Sequence, residues 1–300
     1  MKVWLVGADG QLGQSLIAYF KQNSSLLSAR FELQSTNKSD VDICNSDSVS
    51  RYMAMFKPDI IVNAAAYTNV EQAEIDIELC REVNLVGTRN LANTASHHNI
   101  PLIHLSTDYV FDGDSVTPYL ETDEACPVNT YGKTKLQSEA LISAALKQHL
   151  IIRTSWLISQ YGNNFSKTIL RLSKQLSKLT MISDQRGCPT FADDLSAAIF
   201  KLLMAIEAGQ VDWGTFHYCG NTAMTWFELT QQILDEALEQ KKITFKPEVV
   251  AISSEAFAVQ ANTKAIRPKY SVLDCQKIKE VWGITKPDWT CSLKRLVEKL

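Results

Sequence analysis

Tyr131 and Lys135 stand four residues apart in the run Tyr131, Gly132, Lys133, Thr134, Lys135, and Thr107 lies twenty-four residues before the tyrosine in Ser106, Thr107, Asp108, Tyr109. Side chains at i and i+4 share one face of a helix. A tyrosine in that position can give its proton to a carbonyl oxygen, with the lysine tuning it and a hydroxyl reaching in from elsewhere. The chemistry is that of carbonyl reduction. With nine tyrosines and 21 lysines in the chain, chance alone supplies about 0.6 such pairs, so the meaning of this one depends on the elements that hold it.

The chain has 300 residues, 45% of them hydrophobic, which is ample for one large domain or a core domain with a smaller lobe. A net charge of -3, with acids and bases interspersed, offers no polybasic stripe for nucleic acid or a membrane surface. A phosphate-bearing ligand would have to be held locally. The seven cysteines are scattered, with none at the two-residue spacing of a zinc or redox motif, and the five histidines form no metalloprotease pattern. His97 and His98 end a polar helical stretch. The expectation is a reducing, cytoplasmic setting and no structural metal. The first apolar run, Val3 to Gly7, is about five residues long, too short for a signal-peptide core, and no segment approaches the roughly twenty apolar residues of a membrane span.

Short β-rich runs alternate with amphipathic helical stretches. The strand candidates are Lys2 to Gly7, Phe31 to Thr36, Asp59 to Ala65, Leu102 to Thr107 and Leu150 to Trp156. Ile60, Ile61 and Val62 are apolar in succession, as in a strand covered by helices on both faces. This order predicts a doubly wound α/β parallel sheet. After about residue 157 the alternation loosens: Gly162, Asn163 and Asn164 open a helix, and a loop follows at Gly187, Cys188, Pro189, Thr190. Asp193 to Glu207 reads as an amphipathic helix with Asp193 as its cap, and Thr215 to Gly220 as a strand returning to the first sheet. Ala265, Ile266, Arg267 and Pro268 form an extended segment, because a residue before proline avoids helix. The expected organisation is a nucleotide-binding domain over 1–157, rejoined by 191–220, and a smaller interleaved substrate lobe over 158–190 and 221–300.

Gly7, Gly10 and Gly13, with Gln11 and Leu12 between the last two, follow the first strand and open the first helix. Glycines there allow a tight turn and let backbone and helix N-terminus approach a pyrophosphate. Asp9 is an awkward neighbour for that anion unless it points to solvent. The second strand ends Ser35, Thr36, Asn37, Lys38, without the acidic residue that would hold the ribose hydroxyls of NAD. Small hydroxyls and Lys38 suit a 2′-phosphate, so the expected cofactor is NADPH, with NADH use also open. Asp42 and Ile43 suit the amino group and the apolar face of an adenine. Ala64, Ala65 and Ala66 would let a cofactor pass close over the backbone; helix packing is the other use for such small residues.

These pieces together resemble the extended short-chain dehydrogenases/reductases, Rossmann-like proteins, and within them the dTDP-4-dehydrorhamnose reductases. The resemblance covers nearly the whole chain. It is carried by Gly7 to Gly13, Asn63 to Thr68 with Val70, Glu71, Ala73 and Glu74, Ser106 to Gly113, Tyr131 to Lys135, Arg153 to Trp156, Gly162 to Phe165, and Arg267 with Pro268. It implies reduction of the 4-keto group of dTDP-4-dehydro-L-rhamnose to dTDP-L-rhamnose, for cell-surface polysaccharide synthesis.

Under the resemblance Tyr131 is the acid, and the cationic Lys135 beside it favours the phenolate and bonds the nicotinamide ribose. Thr107 orients the ketone. Asp108 and Trp156 would contact the substrate, and Arg186 and Arg267 are candidates for its diphosphate because a guanidinium takes phosphate oxygens in pairs. Sugar-nucleotide dehydratases typically carry an Asp-Glu pair after the threonine; here Tyr109 follows Asp108, which disfavours water elimination. The rivals are an epimerase or reductase of another 4-keto sugar and a regulatory subunit that kept the fold without the chemistry; retention of Thr107, Tyr131 and Lys135 argues against the last. Some relatives bind Mg²⁺ at a dimer interface through a glutamate of the first helix. Gln11 to Ser15 contain no carboxylate, which puts that mode of homodimer in doubt.

Overall fold

The structure, a computed structural model, describes residues 1–300. Its centre is a six-stranded sheet of β1 (Lys2–Val6), β2 (Glu32–Thr36), β3 (Ile60–Asn63), β4 (Leu102–Thr107), β5 (His149–Thr154) and β6 (Gly214–His217). The spatial order is β6-β5-β4-β3-β1-β2, and every pairing is parallel. The chain reverses its direction of winding between β1 and β3, so the crevice for a ligand opens at the carboxyl ends of those two strands.

Both faces are covered, which explains the continuous apolar runs. Val3, Leu5, Ile60, Val62, Ile103, Leu150 and Ile152 pack on one side against Leu12 and Leu16 of the helix Gln11–Gln22 and Leu195 and Ile199 of the helix Ala192–Glu207. Their alternates Trp4, Val6, Ile61, Leu102 and Ile151 pack on the other against Val49, Leu91, Ala95 and Ile142. The period of two along each strand sorts successive side chains onto opposite faces. A further apolar cluster, with Ile169, Leu229, Ile233, Leu293 and Val297, lies among the helices Phe165–Ser173, Trp226–Glu239 and Trp289–Lys299. No helix is long and apolar enough to cross a membrane.

Four local expectations change. β3 stops at Asn63 and β5 at Thr154, because the chain leaves the ladder where it forms the crevice; Trp156 has φ 45°, which no strand residue adopts. The last sheet strand is Gly214–His217, ending before Gly220. Asp193 does not cap its helix. Phe191 holds the cap position, and Asp193 sits in the first turn with its carboxylate on Lys299 at 2.8 Å. A π-helical turn, Glu82–Gly87, interrupts the run between the helices Ile77–Arg81 and Thr88–His98 and turns Asn84 inward, where its side chain bonds Tyr67 N–H at 2.8 Å and Thr134 Oγ1 at 3.0 Å.

Candidate active site

The floor of the crevice is backbone. Gly7 has φ +91°, and a Cβ on it would lie 2.6 Å from the Ala65 nitrogen; a Cβ on Gly13 would lie 2.1 Å from the Gly7 carbonyl oxygen. Only glycine permits the turn at Gly7 and the seating of the helix N-terminus over it. The amides of Gly7 and Ala8 both donate to Thr36 O, at 2.9 and 3.0 Å, tying the turn to the tip of β2. These features fit a dinucleotide, whose pyrophosphate would meet the helix N-terminus at Gly10, Gln11 and Leu12.

One end of the crevice, about 370 Å³, is lined by Lys38, Asp42, Ile43, Ala64, Ala65 and Ala66 among others. Asp42 accepts the Cys44 amide at 3.0 Å. Thr36 is unavailable to a ligand: its hydroxyl accepts the indole N–H of buried Trp4 at 2.9 Å, leaving Lys38 as the exposed cation at the tip. The other end, about 510 Å³, is continuous with the first through Asp9, Gly10, Ala64 and Ala66, and is lined by Thr107, Asp108, Tyr131, Lys135, Trp156 and Arg267. Six expected site residues from four separate segments therefore meet in one cavity.

The helix Thr130–Ala145 brings in Tyr131 and Lys135 from its first two turns, capped by Asn129, whose Oδ1 accepts Gly132 N–H at 2.8 Å. Glu74 accepts both N–H and Oγ1–H of Thr130, at 2.7 and 3.0 Å, adding an anion at the positive end of the helix. Farther along, Arg153 of β5 forks onto Glu139, with Nη2 to Oε2 at 2.7 Å and Nε to Oε1 at 3.0 Å, and Ser106 donates to the same carboxylate. This buried pair fastens the helix to β4 and β5.

Electrostatics depart from the expected picture. Burial drives the Tyr131 phenol above its ordinary value, outweighing the Thr107 hydroxyl that pulls it down, and Asp108, Tyr109 and Cys80 push it further up. Burial also lowers Lys135, to about 8, against the upward pull of Glu139. The lysine amine is turned to His104 Nε2 at 2.9 Å and Leu105 O at 2.7 Å. The expected lowering of Tyr131 by a cationic neighbour is thus not what governs the phenol here. Thr107 Oγ1 donates to Asp108 Oδ1 at 3.1 Å and accepts Tyr109 N–H at 3.2 Å. Asp108 is 1% exposed, its Oδ2 has no partner, and burial raises the carboxyl to about 7.

Trp156 lies flush on Gly187, where a Cβ would be 2.6 Å from Cε2, and its other face stacks on Trp226 with centroids 3.5 Å apart and planes at 7°. Arg267 reaches the cavity from the extended segment, Nη1 to Tyr109 Oη at 3.3 Å, while Glu71 accepts the amides of Lys264 and Ala265 and holds that segment in place. Arg186 is not brought into the cavity. Its guanidinium donates to Ala223 O at 3.0 Å and lies 3.6 Å from Glu228, because it belongs to a short strand facing Thr225. Trp226 and His104 are absent from the residues singled out in the sequence, and Asn63 and Tyr109 stand there without a place in the site. His104 stands three residues before Thr107 on the same strand, a signal that could have found it; Trp226 has none, arriving from a distant helix.

The family described as RmlD substrate binding domain has a sequence model that matches residues 1–300. A protein of Aggregatibacter actinomycetemcomitans called dTDP-4-dehydrorhamnose reductase is 38% identical over 98% of this chain and 98% of its own length. One of Escherichia coli K12 with the same name is 34% identical over 100% and 98%. The crystal structure of dTDP-4-dehydrorhamnose reductase from Bacillus anthracis in complex with NADP superimposes with a TM-score of 0.88 at 33% identity, covering 100% of this chain and 99% of that one.

Proposed function

The chain belongs to the RmlD family, and on that premise we propose that it is an NADPH-dependent oxidoreductase that reduces the 4-keto group of dTDP-4-dehydro-L-rhamnose to give dTDP-L-rhamnose. The observation that carries the reading is the convergence of Thr107, Tyr131 and Lys135 in a cavity continuous with a dinucleotide crevice. NADPH, when bound, supplies the hydride. Gly7, Gly10, Gln11, Leu12 and Gly13 would hold its pyrophosphate, Lys38 its 2′-phosphate, Asp42 and Ile43 its adenine, and Lys135 its nicotinamide ribose. Ala64 to Ala66 would lie beneath it.

Tyr131 gives its phenol proton to the sugar oxygen as the carbonyl becomes a hydroxyl. A sugar alkoxide is a stronger base than a phenolate, so even a phenol raised by burial is acid enough for this step. Thr107 leaves Asp108 to hydrogen-bond the ketone, and Asp108 and Trp156 contact the sugar. Arg267 serves the diphosphate; Arg186 would have to swing away from Glu228 to do so. We assign the cofactor to residues 1–157 with 191–220 and the sugar nucleotide to 158–190 and 221–300. The setting we infer is the cytoplasm, with a homodimer compatible and no nucleic-acid partner.

The test is direct. NADPH absorbance should fall when the protein is mixed with dTDP-4-dehydro-L-rhamnose, and product should co-migrate with dTDP-L-rhamnose. No decay with NADPH or NADH would sink the reading, and turnover of a different 4-keto sugar in preference to this one would move it to the rival.

A further inference from the structure

The segment that carries Arg267 is held at both ends by carboxylates. At its start, Asp184 accepts Ser254 N–H at 2.8 and 3.0 Å with its two oxygens, and Ser254 Oγ–H at 2.5 Å. The helix Ser254–Ala261 follows with no buried residue, and Val259 is 81% exposed. A helix with so little packed surface opens locally at a small cost in free energy. At the far end, Glu71 accepts Lys264 N–H with one carboxylate oxygen and Ala265 N–H with the other, the second at 3.3 Å.

A further tie lies beside Glu71. Asn129 Nδ2 donates to Ile266 O at 2.8 Å, while its Oδ1 caps the helix Thr130–Ala145 by accepting Gly132 N–H at 2.8 Å. Asn129 is 2% exposed, so water cannot replace either contact. Glu71 and Glu74 are three residues apart; the first binds the extended segment, and the second binds Thr130 at the head of the same helix. Three segments therefore meet at one node. It lies at the rim of the cavity, which Val70, Tyr109 and Arg267 line. Arg267 reaches in from the node to Tyr109 Oη at 3.3 Å, and the Tyr109 ring meets Tyr131 edge-on at 5.8 Å.

We propose that Glu71 and Asn129 are positioning residues that clamp the strap 254–268 onto the head of the Tyr131 helix, and so hold Arg267 in register with Tyr131 for a ligand carrying a diphosphate. Neither side chain lines the cavity, so each acts through Arg267. The use of Arg267 rests on the function proposed above; the clamp itself does not. The residue types follow from the contacts. Position 71 faces two successive backbone amides, both donors, and a carboxylate offers each an oxygen where a carboxamide has one to give. Position 129 faces one donor and one acceptor, which a carboxamide satisfies together.

Two variants release the clamp by different routes. Glu71→Gln keeps the shape, sets an NH₂ against one of the two amides and leaves the helix cap alone. Asn129→Ser keeps a good capping residue and is too short to reach Ile266 O as well. Limited trypsin digestion of the full chain reads the outcome, because trypsin cuts after Lys264 but not between Arg267 and Pro268. Intact mass identifies the fragments 1–264 and 265–300. Cleavage there should be at least about tenfold faster in both variants than in the wild type. A wild-type rate in Glu71→Gln would overturn the clamp, even if Asn129→Ser does not fold. With the wild type, dTDP should slow the cut, since a diphosphate on Arg267 stabilises the seated strap; dTDP that binds without slowing it would overturn the link to Arg267.

Kinetics separate positioning from support of the fold. Glu71→Gln and Arg267→Ala should each raise KM for the nucleotide sugar by about tenfold and leave NADPH affinity unaltered. In the double variant the losses should not multiply, and KM should stay within about twofold of Arg267→Ala alone, because the clamp then has no guanidinium to place. Losses that multiply would overturn the positioning role. A wild type that binds no dTDP and reduces no keto sugar defeats the functional reading and with it the role of Arg267, while the trypsin comparison still decides the clamp.

Discussion

Removing one oxygen tests the acid. Tyr131→Phe keeps the ring that packs edge-on against Tyr109 at 5.8 Å and deletes the proton, so turnover should fall by about 10²- to 10⁴-fold while NADPH affinity stays within about twofold. Single-turnover kinetics and NADPH fluorescence titration measure the two; unchanged turnover would remove Tyr131 from the role. Asp108 makes a different prediction. Its folded carboxyl sits at about 7 against 3.8 for the free side chain, so between those values the folded chain holds a proton that the unfolded chain has lost. Stability should therefore be highest near pH 4, decline as pH rises to 7, and level off above. The linkage corresponds to at most about 4 kcal/mol. Asp108→Asn should flatten that slope in denaturant titrations from pH 4 to 7, and a slope as steep as the wild type would show that Asp108 is not its source.

One level up, the helix Thr130–Ala145 and β5 are joined by a bidentate ion pair with both side chains under 8% exposed, Arg153 at 7% and Glu139 at 6%. Breaking one half strands a buried charge. Arg153→Met should cost about 3–5 kcal/mol in urea unfolding, and adding Glu139→Leu should restore a large part of it, since an apolar pair of similar volume needs no solvation. If the double variant is no more stable than the single, the pair does not act as a unit. The same helix shows where reading a sequence succeeds and where it stops. Tyr131 and Lys135 are separated by one turn, so their common face follows from local geometry, and Ile60 to Val62 announce a doubly covered strand because burial on both faces demands it. His104 shares a strand with Thr107, which marks its neighbourhood, but the strand alone does not tell that its ring meets Lys135 from another element. Arg186 looked like a phosphate ligand for its charge alone, and the pairing of its strand with Met224 and Thr225 sent the side chain elsewhere.

Across the whole chain, the sheet and the C-terminal helices meet at the stacked indoles of Trp156 and Trp226, seventy residues apart in sequence. Trp156 follows β5, and Trp226 opens the helix Trp226–Glu239, which is pinned by a capping box between Thr225 and Glu228. Trp226→Ala removes one wall of the cavity without touching the glycine crevice. KM for the nucleotide sugar should rise at least about tenfold with NADPH affinity unaltered; equal losses in both would mean that the substitution loosens the fold as a whole. The alternation of strands and helices announced the first five sheet strands, whereas the meeting of these two tryptophans has no periodic trace because it depends on how separate segments dock.

The sixth strand gives the sheet a timetable. β6 pairs with β5 along Gly214 to His217, after the chain has left the sheet and returned. While the protein is being synthesised, β5 must wait with its outer hydrogen-bonding edge unpaired, and Leu150 and Ile152 wait for Leu195 and Ile199. At about 5–20 residues per second that interval lasts several seconds, during which an apolar strand edge is open to other nascent chains. Chaperone dependence should accordingly be concentrated in the period between the emergence of β5 and that of β6, and a ribosome-bound chain stalled in that window should be more prone to aggregate than one stalled beyond it.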